Sequence, residues 1–551
     1  MSLPQILFIG NWMSDLIPTR FWYVARKLGE REMLFFDSFD HWGKMRPEQI
    51  FCIDDGGEIS YGEAYLKANK IANGFLDLGL KAGDHIAFLS KNSANLLLMY
   101  MGAAKVGLIP VPLNYRLAPA EWAYILNDSG AKLIYAEVEY GQAIEGIAND
   151  VPSLTIRIAE GNVAGWISYD KWWNAATDKS LERTIDDQQQ LYQMYTSGTT
   201  GHPKGVVINH RSFYNNLSQY ISVMVSRPGV GDVGLVVSPL YHAAAVYIAS
   251  LQIQLGMTII LHREFDPVKV VADMDNRQVA FTFLVPAMIQ ECLVKVADIA
   301  DRDWSQLKGI MYGASPIAIS VLRKAMEVFE CDFYQAYGLT ETTAILTILD
   351  ARDHEMALEG NEKLLLSAGR SLPGTQLKIA DGDGQKVANG VMGEICGRGD
   401  QIMAGYWNLA EATEKTLIDG WMHTGDAGIM DDEGYVYIQD RIKDMVVSGG
   451  ENIYPREVEN ILFSHDKIID AAVIGVPDDK YGEALLAFVV TDDGIALPVE
   501  DIINFCRGYL GGYKVPRQIE FVKSLPRNAS GKVLKKDLRQ PYWNEDGRGV
   551  G

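Results

Sequence analysis

The sequence predicts an α/β protein of layered, largely parallel sheets, followed by a β-rich stretch and a compact α+β end. Three observations predict it. Strand-like and helix-like segments alternate from Tyr61 onward. Turn pairs then crowd together beyond position 370, at Pro373-Gly374, Asp381-Gly382-Asp383-Gly384 and Asn389-Gly390. After Lys443 a helix, two strands, a helix and a last strand follow in close order.

The elements read as follows. Tyr61 to Leu78 has apolar residues at helical spacing, and Gly79 offers a stop. HIAFLS (85–90) is a short buried strand, and Asn92 to Val106 returns to helix. LIPVPLN is an extended piece punctuated by Pro110 and Pro112, and KLIYAE (132–137) is another strand. GEICGRG and YVYIQD supply strands to the β-rich part. A helix over Pro455–Phe463, the strands DAAVIGVP and ALLAFVV, the helix VEDIINFCRGYL and the strand IEFV complete the chain. A boundary near Lys443 divides residues 1–442 from 443–551.

A length of 551 residues requires several packed units, since domains run to roughly 100–200 residues. Ordinary usage, 48% hydrophobic and 22% charged, excludes disorder and fibrous repeats. The 71 acids against 50 bases leave a net charge of -21, which disfavours nucleic acid and anionic lipid as partners. That charge is uneven. Arg507 to Arg539 holds nine bases against Glu520 and Asp537, +7 in all, so the remainder is -28. Five scattered cysteines without a CxxC pair read as reduced thiols packed as small hydrophobes. The N-terminus has a short apolar run with no base before Arg20, unlike a signal peptide. Val233 to Leu261 carries no formal charge over 29 residues, long enough for a membrane span. Pro239, His242, Gln252, Gln254 and Gly256 interrupt it, and it breaks into strand, buried helix and strand. The expectation is a cytoplasmic protein with no transmembrane segment.

The chemistry begins at YTSGTTGHPKG (195–205). A strand enters a loop of glycines, hydroxyls and one lysine. Backbone N–H groups, hydroxyls and Lys204 suit a phosphate. GxxxxGK[ST] does not fit this loop, so it is not a Walker A motif. The string TSGTTG followed by x-P-K-G resembles the signature loop of the adenylate-forming superfamily, which includes acyl-CoA synthetases, aryl-CoA ligases, firefly-type luciferases and peptide-synthetase adenylation domains. Further motifs recur in order from roughly residue 45 to 540. Gly313-Ala314-Ser315-Pro316 is similar to the family's adenine-side strand end, and Tyr337-Gly338-Leu339-Thr340-Glu341 matches its YGxTE motif. Trp421 to Asp426 resembles W-x-x-TGD, and Asp440-Arg441-Ile442-Lys443-Asp444 resembles the crossing between domains. SGGENIYPREVE (448–459) looks like the CoA ligases more than the carrier-protein adenylation domains. Asn528-Ala529-Ser530-Gly531-Lys532-Val533 resembles the catalytic-lysine loop.

The resemblance implies a large multi-layer N-terminal domain, of two α/β subdomains plus a β-rich subdomain, with a small mobile α+β C-terminal domain. It implies that Thr196, Ser197, Gly198, Thr199, Thr200, Gly201 and Lys204 cradle the phosphates of ATP. Gly313, Ala314 and Ser315 would border adenine, Gln335 would read its amino group, and Tyr337 and Gly338 would pack on it. Thr340 would reach the α-phosphate and Glu341 would hold Mg²⁺, which takes hard oxygen ligands. Asp426 would anchor the ribose, with Arg441 also on the nucleotide. Lys443 would be the hinge, Gly449, Gly450 and Glu451 would border the coenzyme A path, and Lys532 would bridge the attacking carboxylate and the α-phosphate. His242 would sit beside the carboxylate end of the acid. No acid follows it until Glu264, and the Ala243-Ala244-Ala245-Val246 run is apolar, so the expected substrate is a monocarboxylic acid without an α-amino group, most like a fatty acid.

The implied activity is ATP-dependent, AMP-forming acid–CoA ligation through acyl-AMP. Four alternatives stay open: an acyl-AMP ligase that loads a separate carrier protein, a ligase of aryl or other short acids, a luciferase-like oxygenase, and an inactive nucleotide-binding protein. A homodimer is also open.

Overall fold

The structure is a computed structural model that describes residues 33–182, 185–196, 202–441, 444–465, 467–491, 497–527 and 532–543. Ser197, Gly198, Thr199, Thr200, Gly201 and Lys443 therefore lie outside the described residues.

Two largely parallel sheets carry most of the chain up to Ser371, as the alternation predicts. The smaller sets Ile109–Pro112, His85–Leu89, Leu133–Glu137, Ile156–Glu160 and Ile167–Ser168 side by side, all parallel. The nine-stranded sheet has Thr258–Leu261, Val233–Val236, Val279–Leu284, Gly309–Gly313 and Asp332–Tyr337 parallel at its centre. Ile50–Asp54 joins it from far upstream, parallel to Thr258–Leu261. The expected helix at Tyr61 spans Tyr61–Asp77. Ser60 opens it with a capping box to Glu63, worth about 1 kcal/mol, and Gly79 leaves it at φ +81°. Ala64, Ala68, Ile71, Ala72 and Phe75 face inward at helical spacing.

The charge-free run folds as strand Val233–Val236, helix Ala243–Gln254 and strand Thr258–Leu261, the two strands being parallel neighbours. Its 12-residue helix is buried almost all round and would reach only about 18 Å. No described helix is long and apolar enough to cross a membrane. The run is uncharged because a helix packed on the sheet has little solvent-facing side.

The β-rich part is a five-stranded antiparallel sheet of Gln376–Ala380, Gly393–Arg398, Trp421–Met430, Leu417–Ile418 and Val436–Arg441. The end of the chain pairs Ile468–Asp478 with Gly482–Thr491, adds Gln518–Phe521 and a hairpin of Val446–Ser448 with Glu451–Ile453, and packs Pro455–Phe463 and Val499–Arg507 on them. The hydrophobic clusters respect this order: three draw on residues from 34 to 437 and two on residues from 446 to 525. One sheet was not anticipated. Gln190–Thr196 turns back into Lys204–Asn209, and Gly405–Tyr406 adds a third antiparallel strand. Lys204 thus opens a strand instead of sitting in the loop. All five cysteines are free thiols, buried except for the half-buried Cys331.

Burial also tunes two histidines. His354 donates from Nδ1 to the Asp350 carbonyl and accepts from Tyr312 Oη at Nε2 (2.7 and 2.9 Å), and desolvation pushes its pKa down to about 4. His242 is pushed down to about 4 by desolvation and then by Arg116. Each folded pKa lies below the unfolded value of roughly 6.5, so the unfolded chain protonates first as pH falls. This stabilisation is whole above about pH 6.5 and is lost progressively toward pH 4. Each histidine then costs about 2 kcal/mol at pH 5. The wild-type thermal midpoint should fall between pH 7 and pH 5. His354→Gln should lower the midpoint at pH 7 yet reduce that fall; an equal fall in both proteins would assign the pH dependence elsewhere.

Candidate active site

The predicted adenine side forms where the parallel strands Gly309–Gly313 and Asp332–Tyr337 end, the usual place for ligands in such sheets. Both glycines there are required by backbone packing: a Cβ on Gly313 would lie 2.2 Å from the Ala336 carbonyl oxygen, and one on Gly338 2.0 Å from that of Ala344. Ala314 follows at φ +66°, a left-handed conformation costing about 1 kcal/mol for a residue with a side chain. Ser315 Oγ and Gln335 Oε1 are buried with no hydrogen-bond partner. Two such polar atoms at the mouth of a sheet suit a ligand that carries donors and acceptors.

Asp426 meets these residues from the β-rich sheet. Its Oδ2 accepts from Tyr337 Oη at 2.7 Å and its Oδ1 pairs with Arg441 Nε at 2.6 Å. Asp426 and Arg441 are direct cross-strand neighbours. Burial works against the Arg441 charge, but Asp426, Tyr337, Glu341 and Asp444 outweigh it and raise the pKa. Burial and Asp426 push the Tyr337 phenol up, so it stays a donor. The turn before Asp426 is held by Glu394, whose Oε1 accepts from Gly425 N (2.8 Å) and whose Oε2 accepts from His423 Nδ1 (2.7 Å). Thr424 Oγ1 completes the turn, donating to the Ile395 carbonyl and accepting from Asp426 N.

The predicted phosphate side is flanked by the paired antiparallel strands Gln190–Thr196 and Lys204–Asn209. A partly buried relay fixes the first strand: His85 Nε2 to Gln193 Oε1 (2.9 Å), Gln193 Nε2 to Tyr195 Oη (3.0 Å), and Tyr195 Oη to Asp128 Oδ2 (2.6 Å). Glu341 lies on the single turn Thr340–Thr342, which also carries Thr340. Its Oε1 accepts from Tyr406 Oη at 2.9 Å and from Thr196 Oγ1 at 3.4 Å. Lys204 Nζ stands 4.8 Å from the centre of the Tyr406 ring. A carboxylate beside a threonine hydroxyl is a hard-oxygen set that fits Mg²⁺.

His242 precedes the helix Ala243–Gln254 with Nε2 buried and unpartnered, its ring 4.6 Å from that of Tyr241. Tyr241 Oη is likewise buried without a partner, and Tyr115 packs edge-on against its ring at 5.3 Å. Glu264 is engaged by Lys91 at 3.2 Å. Tyr247 belongs to the core: it is 1% exposed and donates to the Asn216 carbonyl.

In the small unit, Gly449 (φ +61°) and Gly450 (φ +88°) are the two central residues of a tight hairpin turn between paired Ser448 and Glu451. Two successive positive φ values are what the favoured two-residue turn demands, which explains both glycines. The Glu451 side chain is exposed. Lys532 is also exposed, and its neighbour Val533 forms an antiparallel bridge with Arg527. Arg456 has a buried, unpartnered Nε, and Asp426 and Tyr337 are among the groups whose fields it feels. The +7 segment is not an open patch. Lys514 pairs with Glu457, Arg527 with Asp470, Lys535 with Asp440 and Glu459, and Arg539 with Asp444. Counting charges along the chain overlooks acids that the fold brings from elsewhere.

Sequence reasoning missed Tyr406, Glu394 and Arg456. Tyr406 meets Glu341 across 65 positions, and Glu394 meets Gly425 across 31, so no local spacing announces either contact.

Residues 39–407 match the AMP-binding enzyme family, and residues 457–532 match the AMP-binding enzyme C-terminal domain. A fatty acid–[acyl-carrier-protein] ligase of Streptomyces coeruleorubidus is 36% identical, over 91% of this chain and 94% of its own. A feruloyl-CoA synthase of an Amycolatopsis species is 34% identical, over 91% and 97%. The solved fatty acyl CoA synthetase of Mycobacterium tuberculosis superposes with a TM-score of 0.74 at 31% identity, over 92% of this chain and 98% of its own. The strand ends that gather Tyr337, Glu341 and Asp426 thus stand in a chain that belongs to the AMP-binding enzyme family.

Proposed function

We propose that the chain is an AMP-forming acid–thiol ligase that converts a carboxylic acid to its CoA thioester through acyl-AMP. The observation that carries this is the convergence of Asp426, Tyr337 and Arg441 with Glu341, Thr196 and Lys204 in a member of the AMP-binding enzyme family.

In the first half-reaction the carboxylate oxygen attacks the α-phosphorus of ATP and pyrophosphate leaves. Asp426 takes the ribose hydroxyls, Lys204 moves from the Tyr406 ring to the phosphates, and Lys532 neutralises carboxylate and α-phosphate together. Mg²⁺ on Glu341 supplies charge neutralisation on the phosphate oxygens. In the second half-reaction the CoA thiol attacks the acyl carbonyl and AMP leaves. Free thiols of pKa ~8.5 are already a few per cent thiolate near pH 7, so no general base is assigned. The large unit runs over 1–442 and the small one over 443–551, and rotation about Lys443 exchanges Lys532 for the Gly449–Glu451 hairpin. The separate hydrophobic clusters support that division.

The acid is read as apolar and without an amino group. His242 is neutral at physiological pH, Glu264 is spent on Lys91, and small alanines open the helix that follows. A fatty acid fits best. The 36% identity to a carrier-protein ligase supports a second reading, in which a carrier's pantetheine thiol replaces CoA.

Lys532→Ala should slow acyl-AMP formation at least about 100-fold, since one preorganised charge is worth that much. It should largely spare thioester formation from supplied acyl-AMP. Lys443→Pro should do the reverse, and equal losses in both half-reactions would defeat the two-state scheme. Glu394→Ala frees the turn that presents Asp426. It should raise KM for ATP several-fold and leave KM for the acid unchanged; a rise in both would make Glu394 a general stabiliser. Pyrophosphate release over fatty, aryl and amino acids, with CoA, with a carrier protein or with neither, assigns the substrate. Turnover of amino acids alone would overturn the acyl-site reading.

A further inference from the structure

The segment Met403–Trp407 is a strap between the two halves of the phosphate site. Met403 N donates to the Glu341 carbonyl at 2.9 Å, and Ala404 N donates to the Val207 carbonyl at 2.9 Å. Tyr406 pairs with Val206 across the sheet, two residues from Lys204, and Trp407 N donates to the Gly205 carbonyl at 2.8 Å. Trp407 also donates from Nε1 to the Asp128 carbonyl (3.0 Å) and packs on His85 (4.5 Å), joining the strap to the relay behind Tyr195. The backbone of the strap is therefore fixed on both sides, and Tyr406 has little freedom to reorient.

From that fixed backbone the Tyr406 side chain meets both charges of the site at once. Its hydroxyl donates to Glu341 Oε1, and its ring faces the Lys204 ammonium. Thr196 Oγ1 donates to the same Oε1, so both hydroxyls fall on one oxygen and no described residue donates to Oε2. A carboxylate whose one oxygen is taken by two donors cannot spin, and it presents the other oxygen in a set direction. A ring facing an ammonium holds it by a contact of about 0.5–2 kcal/mol, weak enough to yield to a phosphate.

We infer that Tyr406 is a positioning residue that orients the Glu341 carboxylate for the divalent cation through its hydroxyl and parks Lys204 on its ring until the nucleotide arrives. The inference rests on the proposed ligase reading of the site. The hydroxyl and the ring have separable duties. The hydroxyl acts only when a metal is present, while the ring acts on the phosphates whether or not one is.

The test measures binding, not turnover. Mn²⁺ serves as the metal probe, followed by electron paramagnetic resonance in the presence of α,β-methylene-ATP. Binding of the analogue without metal is measured by calorimetry. Tyr406→Phe keeps the ring and should weaken Mn²⁺ in the ternary complex about 10- to 100-fold, as expected for one lost hydrogen bond to a charged group, with metal-free analogue affinity unchanged. Tyr406→Leu also removes the ring contact that Lys204 has to leave, so it should weaken Mn²⁺ as Tyr406→Phe does and tighten the metal-free analogue several-fold. Unchanged metal-free binding in Tyr406→Phe also reports an intact site. Should Tyr406→Phe hold Mn²⁺ like the wild type, or lose both affinities equally, the positioning role is overturned while the ligase reading stands. A wild-type chain that gathers no Mn²⁺ with the analogue would overturn the ligase reading and this inference with it.

Discussion

The pairing of Asp426 with Arg441 is the interaction on which the rest of the site depends. A buried carboxylate needs a partner, because stripping one charge from such a pair costs about 3–5 kcal/mol. Arg441 meets Asp426 as its cross-strand neighbour in the β-rich sheet, and Tyr337 adds a hydrogen bond from the nine-stranded sheet. Two independent layers therefore meet on one carboxylate. Arg441 also closes Val436–Arg441, the last strand of the β-rich sheet, and so stands at the junction with the small C-terminal unit.

That junction is electrostatic on its other side as well. Asp440 accepts from Arg456 N at 3.0 Å and from Lys535 Nζ at 3.3 Å, and Lys535 also reaches Glu459 at 2.9 Å. Burial disfavours the Lys535 charge, yet Asp440, Glu459 and Asp444 outweigh burial and raise its pKa. Arg539 holds Asp444 in the same way from the same short helix. The carboxylates flanking position 443 are thus both gripped by the segment that follows Lys532. Any reorientation of the small unit about position 443 has to exchange the two contacts of Asp440 for others or for water, while Lys535–Glu459 and Arg539–Asp444 move with the unit. Buried pairs gain little net energy over an apolar contact, so they specify an arrangement better than they stabilise it.

The acid excess acquires a local meaning here. Net charge of -21 disfavours polyanionic surfaces as partners but says nothing about a phosphate met at close range. Four of the nine bases in the cationic C-terminal segment are committed to acids of the small unit and its junction. Lys204, outside that segment, is individually placed by an aromatic ring.

What the sequence determined by itself is local. Strand and helix limits at Tyr61, His85, Pro455 and across Val233–Leu261 follow from periodicity, caps and turn residues, because those forces act within a few positions. Motif strings likewise identified Tyr337, Glu341, Asp426 and Arg441, since each lies in a short stretch with a recognisable pattern. Tertiary structure decided the rest. It made Gly313 and Gly338 obligatory through carbonyl oxygens of other strands and turns, and it paired the strands Gln190–Thr196 and Lys204–Asn209 with each other and with Gly405–Tyr406. It also brought Tyr406 to Glu341, Glu394 to Gly425 and Lys535 to Asp440. These contacts join residues 31 to 95 positions apart, and at such separations only packing, not propensity, sets which side chains meet.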